Sequence, residues 1–319
     1  MNLDDFTKTY PDELSCIEAV KTKRLSMGLK CKKCSHTEHY FRKGDLKFEC
    51  KKCHSRQGLR AGTVMENTNL PIRYRLMAVH LMGVTKKGFS ALEMQRLIGH
   101  KRYEPIWYMM HKIRRIMGKR DDACQLSDHI EIDEGFFERV DDKEAITTNK
   151  QKTASEGDKG NKRGRGSEKQ TKVLVMAGSK PSKEGSKKGK PDRKVGCLKM
   201  KVMEGLKASS INETIKKDVK AGTSAQTDGY RGYNKLKEVL ANHAVIVEPD
   251  KKKAAKLFPW VNRTISNAKK VLLCNHHNGI NNNFVQNYLD GFCYKFNRRY
   301  FGDKLFDRLV VAALGTTWY

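Results

Sequence analysis

Apolar positions first recur at helical spacing near the start of the chain. Phe6, Leu14, Ile17 and Val20 suit one face of a helix within residues 1–25. The pattern then shortens to "HYFRKG" and "LKFEC", which read as two strands of a ribbon turning at Gly44-Asp45. From Leu70 to Gly118 the period is helical again. Pro71 suits the first turn of a helix through Leu76, Val79 and Leu81. Ser90 caps a short helix, "ALEMQRLIG", that stops at Gly99, and a second follows with Ile106, Trp107, Met110, Ile113 and Met117 on its inner face. "HIEIDEGFF", His129 to Phe137, reads as a strand with Ile130 and Ile132 on one side and Glu131 and Asp133 on the other. "TKVLVMAG" and "VGCLKMKVM" alternate like strands of an antiparallel meander.

"SINETIKKDVKAG" predicts a helix ending at Gly222, and "AQTDGY" a short strand ending at Asp228 with a helix from about Arg231. In "KLFPWVNRTISNAKKVLL", Trp260, Thr264 and Val271 fall at roughly helical spacing, which puts Asn267 and Lys270 near the opposite face. Residues 141–170 and 179–194 are nearly empty of apolar side chains and read as loops between strands.

Charge narrows the partners. Lysine and arginine total 64 against 36 acids, a net charge of +28, which favours a polyanion. No apolar run approaches the roughly 20 residues of a membrane span, so nucleic acid is a better partner than a membrane. The start, "MNLDDFTKTYPDELSC", is acidic and amphipathic and fits neither a signal nor a transit peptide. The chain therefore reads as intracellular, where nine cysteines are thiols or metal ligands rather than disulfides.

Four of them, Cys31, Cys34, Cys50 and Cys53, make C-x2-C-x15-C-x2-C, the spacing of two thiolate knuckles around a structural Zn²⁺. The other five, Cys16, Cys124, Cys197, Cys274 and Cys293, read as ordinary core residues. After this ribbon, a helix, a glycine turn and a basic helix follow helix-turn-helix grammar, with Arg102, Lys112, Arg114, Arg115, Lys119 and Arg120 available for phosphate. In "KRGRG", Lys162 to Gly166, glycines let Arg163 and Arg165 press closely on a phosphate backbone.

Asp133 and Asp228, each at a strand end, are candidates to share a divalent metal. By residue type alone an Asp-Gly pair is as readily a turn or helix cap, and the basic stretch around Asn267 as readily a solvated helix. The order of parts decides more. The four cysteines, "AGTVMENTNLPIRYRLMAVHLM", "KKGFSALEMQRLIG", "IEIDEGFF", "GRG", "TDGYRGY", "WVNRTISNAKKVLL" and "QNYLDGFCYKFNRR" together resemble the ISXO-like insertion-sequence transposases, a bacterial DDE-type group, from about Cys31 to Arg299.

The resemblance implies a multidomain α+β chain: a helix and zinc ribbon over 1–60, a helix-turn-helix region over 61–122, and a ribonuclease H-like, retroviral-integrase-like α/β catalytic domain with a mixed sheet over 123–319. It implies that Asp133, Asp228 and Asn267 hold catalytic Mg²⁺ or Mn²⁺, Asn267 standing where the group's name expects glutamate. Lys269 and Lys270 match the basic residues that follow, and Arg298 and Arg299 suit phosphate. Implied partners are double-stranded DNA, as transposon ends and target, and further copies of the chain on that DNA. The implied setting is the bacterial cytoplasm, at the nucleoid. The chain departs from the group at Cys274-Asn275 before His276-His277, at Glu138-Arg139, and at Gly291, where a glutamate is common near the site. The implied activity is metal-dependent cleavage and joining of DNA. The competing expectation is a non-catalytic DNA-binding protein that keeps the ribbon and the helix pair.

Overall fold

Two proline-led helices and a mixed sheet carry the residues of interest. The structure, a computed structural model, describes residues 1–138, 140, 164–167, 170–182, 193–250, 253, 256–276 and 279–317. The chain divides into two compact units, one of residues 1–120 with 298–319 and one of residues 121–297. Among the described residues no helix is long and apolar enough to cross a membrane.

In the first unit the expected N-terminal helix is two. α1 (Leu3–Thr9) is closed at its start by a capping box of Asn2 and Asp5, and α2 (Glu13–Ser26) by one of Asp12 and Ser15. Pro11, between them, has no N–H to continue the first helix. Phe6 and Val20 are buried as the pattern predicts, but Leu14 is 75% exposed. The ribbon follows as β1 (His39–Arg42) and β2 (Lys47–Cys50), in antiparallel register, with a third strand, β3 (Arg56–Gly58), that the pattern did not disclose. α3 (Ile72–Val84) starts directly after Pro71. α4 (Ala91–Ile98) is capped by the Ser90 hydroxyl, which accepts from the Glu93 N–H, and ends where Gly99 takes φ +74. α5 (Glu104–Asp122) buries Ile106, Met110, Ile113 and Met117.

The second unit holds β4 (His129–Glu138), β5 (Gln170–Pro181), β6 (Arg193–Met203), α6 (Ala208–Asp218), β7 (Ser224–Thr227), β8 (Asn242–Val245), α7 (Pro259–His276) and α8 (Asn282–Asn297). The sheet order is β6-β5-β4-β7-β8. β4, β5 and β6 pair antiparallel, whereas β7 runs parallel to β4 and β8 parallel to β7, so the sheet is mixed as expected. Ile130, Ile132, Leu174 and Met176 meet Ile211 and Ile215 of α6 on one face. Val173, Val175 and Met200 meet Val261, Ala268 and Leu289 of α7 and α8 on the other. A strand covered on both faces needs apolar residues at every position, which is why β5 reads "VLVMA".

α6 stops at Asp218, short of Gly222, because Asp218 is spent on a buried ion pair with Lys199 at 2.7 Å and Val219 pairs beside Leu126. The helix expected from Arg231 is two short 3-10 turns, Arg231–Tyr233 and Leu236–Glu238.

The last helix, α9 (Lys304–Gly315), belongs to the first unit. Its Phe306 meets Phe6 edge-on at 5.9 Å and His80 at 5.6 Å. Residues 298–319 thus group with the N-terminal residues, where the sequence had placed them with the region from 123.

Candidate metal and nucleic-acid sites

The four paired cysteines come together in the first unit, their sulfurs all within 4.8 Å of one another. Two matching turns bring them there: Ser35 donates to the Cys31 carbonyl and His54 to that of Cys50, and both donors take positive φ, 58° and 54°. Cys31 Sγ lies 3.6 Å from Cys53 Sγ, and Cys34 Sγ 3.5 Å from Cys50 Sγ. A tetrahedral zinc with bonds of about 2.3 Å wants sulfurs roughly 3.8 Å apart, so the set fits that ion. The backbone N–H groups of Cys34 and Lys33 draw the Cys31 thiol down to about 6. At Cys34 the His36 N–H lowers it, but the Cys53 and Cys50 sulfurs and burial push it up to about 12, since adjacent thiols resist ionising together. Of the five other cysteines, Cys16 and Cys293 are buried, but Cys124, Cys197 and Cys274 are exposed, which corrects their reading as core residues.

In the second unit, β4 carries Asp133 on the α7 side, and Asp228 follows β7 directly. Carboxylate oxygens of Asp133, Glu134 and Asp228 lie within 4.8 Å of one another. Asp133 Oδ1 accepts the Glu134 N–H at 2.7 Å, and Asp228 Oδ1 accepts the Tyr230 N–H at 3.0 Å, so each acid is held by the backbone that follows it. Burial raises the Asp133 carboxyl to about 7, and the charges of Glu134 and Asp228 add to it; the Glu134 N–H and Arg165 pull the other way. Glu134 has a side chain 1% exposed. Among the described residues its Oε1 has no hydrogen bond of ordinary geometry, though the Tyr233 hydroxyl lies near enough to feel its charge. Three hard oxygen donors, one orphaned and buried, fit Mg²⁺ or Mn²⁺ better than a softer ion. A cavity of about 720 Å³ opens there, lined by Asp133, Arg165, Asp228, Tyr230, Phe258 and Asn262 among others.

α7 meets the site at its first turn. Pro259 leads it, and Glu131 Oε2 accepts the N–H groups of Trp260 and Val261, both at 2.9 Å. Burial raises the Glu131 carboxyl and these two N–H groups oppose the shift. Glu131 is therefore occupied as a helix cap, one residue pair away from Asp133 on the same strand face. Its capping fixes the phase of α7. Val261, Thr264, Ala268 and Leu272 are buried, Asn262 faces the cavity, and Asn267 is exposed and does not line it.

The basic residues named from the sequence are dispersed. Arg165 ion-pairs with Glu134 and Asp228 at the cavity, and Arg163 lies outside the described residues. Lys269 and Lys270 are exposed on α7, with Lys269 Nζ 5.7 Å from the centre of the Phe137 ring. In the first unit Arg102 is exposed. Lys112 donates to the Glu66 carbonyl at 3.3 Å, and Arg114, 7% exposed, to that of Phe89 at 3.5 Å. Arg299 is exposed and its guanidinium carbon lies 4.5 Å from the Tyr300 ring centre, while Arg298 is half-buried. Gly291 is buried on α8, which Gln286 and Asn297 tie to the edge strand β6. It does not line the cavity.

Sequence reasoning passed over Glu134 and Asn262. Glu134 was visible as the second acid of "DE", but strand alternation assigns neighbours to opposite faces and so hid that both reach one site. Asn262 carried no signal until the face of α7 was known. The family model described as an ISXO2-like transposase domain matches residues 125–297. No curated protein matches the chain.

Proposed function

The chain belongs to the ISXO2-like transposase family, and from that premise we propose that it binds the terminal inverted repeats of its insertion sequence and catalyses cleavage and strand transfer of DNA. The observation that carries this reading is the convergence of Asp133 and Asp228, 95 residues apart in the chain, with Glu134 in one cavity. The strand order, with β4, β5 and β6 joined by antiparallel pairing on one side and β7 and β8 added by parallel pairing on the other, supports reading the second unit as ribonuclease H-like.

In this reading Asp133 and Asp228 hold the catalytic cations and Glu134 supplies a further oxygen. When bound, the cations activate the attacking oxygen, water for cleavage and a DNA 3′-hydroxyl for joining, and stabilise the leaving oxygen. The third position of the set passes from Asn267 to Asn262, whose neutral amide adds a ligand without a fourth negative charge. Lys269 and Lys270 stand exposed to take phosphate. The cysteine set holds a closed, structural zinc, and α4 and α5 act as the helix-turn-helix, with Arg102 outward, Lys112 turned to the Glu66 carbonyl and Arg114 bracing the pair from inside. Residues 1–60 and 61–122 would thus bind DNA ends, with residues 298–319 completing their fold rather than that of the catalytic region. Assembly of several copies on DNA in the bacterial cytoplasm completes the proposal.

Purified protein with Mg²⁺ or Mn²⁺ is expected to nick or join DNA bearing its element's terminal repeats. Asp133→Ala and Asp228→Ala should abolish this and leave binding largely intact. Alanine variants that cut as well as the parent would show the site assignment to be wrong. The amide at the third position favours one second reading, a DNA-binding protein without catalysis. End binding by the parent with no cutting in either metal would decide for it.

A further inference from the structure

Arg165 stands among the acids rather than beside them. Its Nη2 lies 2.8 Å from Oε2 of Glu134 and 3.4 Å from Oδ2 of Asp228. Its guanidinium carbon lies 3.8 Å from the centre of the Tyr230 ring. It thus holds two of the three carboxylates that converge there. The two partners are anchored very differently. Glu134 projects from the middle of a strand with its side chain 1% exposed, whereas the Arg165 side chain is 45% exposed. Arg165 also sits on a three-residue turn, Gly164–Gly166, where Gly164 takes φ +79. A buried carboxylate is costly without a cation, so Glu134 needs one at all times. The arginine, its side chain exposed and flanked by glycines, is the partner free to be replaced.

We propose that Arg165 is an exchangeable counter-ion, which holds Glu134 and Asp228 in the absence of DNA and yields them to a divalent cation when a DNA phosphate draws it away. The proposal rests on the metal-site reading given above. A guanidinium on Oε2 of Glu134 and Oδ2 of Asp228 repels a metal ion brought to the same carboxylates and takes up part of their charge, so the two cations compete. A phosphodiester is the natural destination for the displaced side chain, because the planar guanidinium fork matches two phosphate oxygens. Arg165 lines the same cavity as the acids, so the move is a swing rather than a journey. Metal and DNA then bind with positive coupling, and by reciprocity each tightens the other. Arg165 is a positioning residue in this scheme: it sets when the acids are free.

The test is Mn²⁺ titration of the full chain followed by electron paramagnetic resonance, for the parent, Arg165→Gln and Asp228→Ala, each with and without a short duplex. Asp228→Ala with duplex gives the background of Mn²⁺ held by DNA and elsewhere. Without DNA, Arg165→Gln is expected to bind Mn²⁺ about tenfold more tightly than the parent, and duplex to tighten the parent by a similar factor but the variant by less than about twofold. Arg165→Lys, which keeps the charge but not the fork, should lie between. If Arg165→Gln binds Mn²⁺ no more tightly than the parent while Asp228→Ala has lost it, the exchange is overturned and the metal site stands. If Mn²⁺ binding to parent and Arg165→Gln is indifferent to Asp228, the metal-site reading fails and the exchange falls with it.

Discussion

Asn262 and Asn267 lie five positions apart on α7, which at 3.6 residues per turn sets their side chains roughly 140° apart around the helix. With Val261, Thr264, Ala268 and Leu272 buried, Asn262 lines the cavity and Asn267 is exposed. Asn262→Ala is expected to lower strand cleavage about 10- to 100-fold, as loss of a metal-site partner does. Asn267→Ala should stay within about twofold, as a solvent-facing substitution. Nicking rates at fixed Mg²⁺ compare them, and a larger loss at Asn267 would return the third position there. The two aspartates stood out as candidates because an acid on or at the end of a short apolar strand needs only the local pattern. The spacing through Trp260, Thr264 and Val271 puts Asn267 opposite the apolar face, and it is exposed there; its place in the metal set came from the resemblance. No local pattern marks Asn262, because which side chain lines the cavity is set by how α7 packs on the sheet.

At the scale of elements, the chain solves one problem twice. Pro71 and Pro259 each open a helix, but a proline side chain offers no acceptor to the free N–H groups behind it. A distant glutamate does so instead. Glu13 of α2 accepts the N–H groups of Ile72 and Arg73 at 2.8 and 2.9 Å, and Glu131 of β4 those of Trp260 and Val261. The second of these ties the helix that bears Asn262 to the strand that bears Asp133. Glu131→Ala leaves two buried donors unpaired and removes an anion from a helix N-terminus, a loss of about 2–4 kcal/mol. Glu131→Gln keeps an oxygen for both donors and should cost about 1 kcal/mol. Urea unfolding of the three proteins separates them, and equal midpoints for the alanine variant and the parent would remove Glu131 from this role. Such ties cannot be read from a sequence, since 129 positions separate acid and helix. Local signals were read well by contrast: Ser90, Gly99 and the cysteine spacing each act within a few residues.

For the whole chain, a net charge of +28 has to be reconciled with the uses found for individual cations. Several are engaged within the protein: Lys199 in a buried ion pair, Arg75 with the carbonyls of Met65, Thr68 and Leu70, Arg114 at Phe89. Others named for DNA, Arg102, Lys269, Lys270 and Arg299, are exposed. The excess is thus unevenly spent, and only exposed cations displace counterions from a duplex. If six to ten of them meet phosphate, affinity for DNA should fall about 10³–10⁵-fold between 50 and 200 mM salt, with a slope of about −0.9 per contact on logarithmic axes. Replacing Lys270 or Arg102 by alanine should flatten that slope by about one contact each, for terminal-repeat and unrelated duplex alike. Arg114→Ala is expected to change stability rather than slope, because its guanidinium is turned inward. Fluorescence anisotropy across a salt series measures both quantities. A shallow slope for the parent would mean that the charge serves a partner other than DNA, whatever the acid site does.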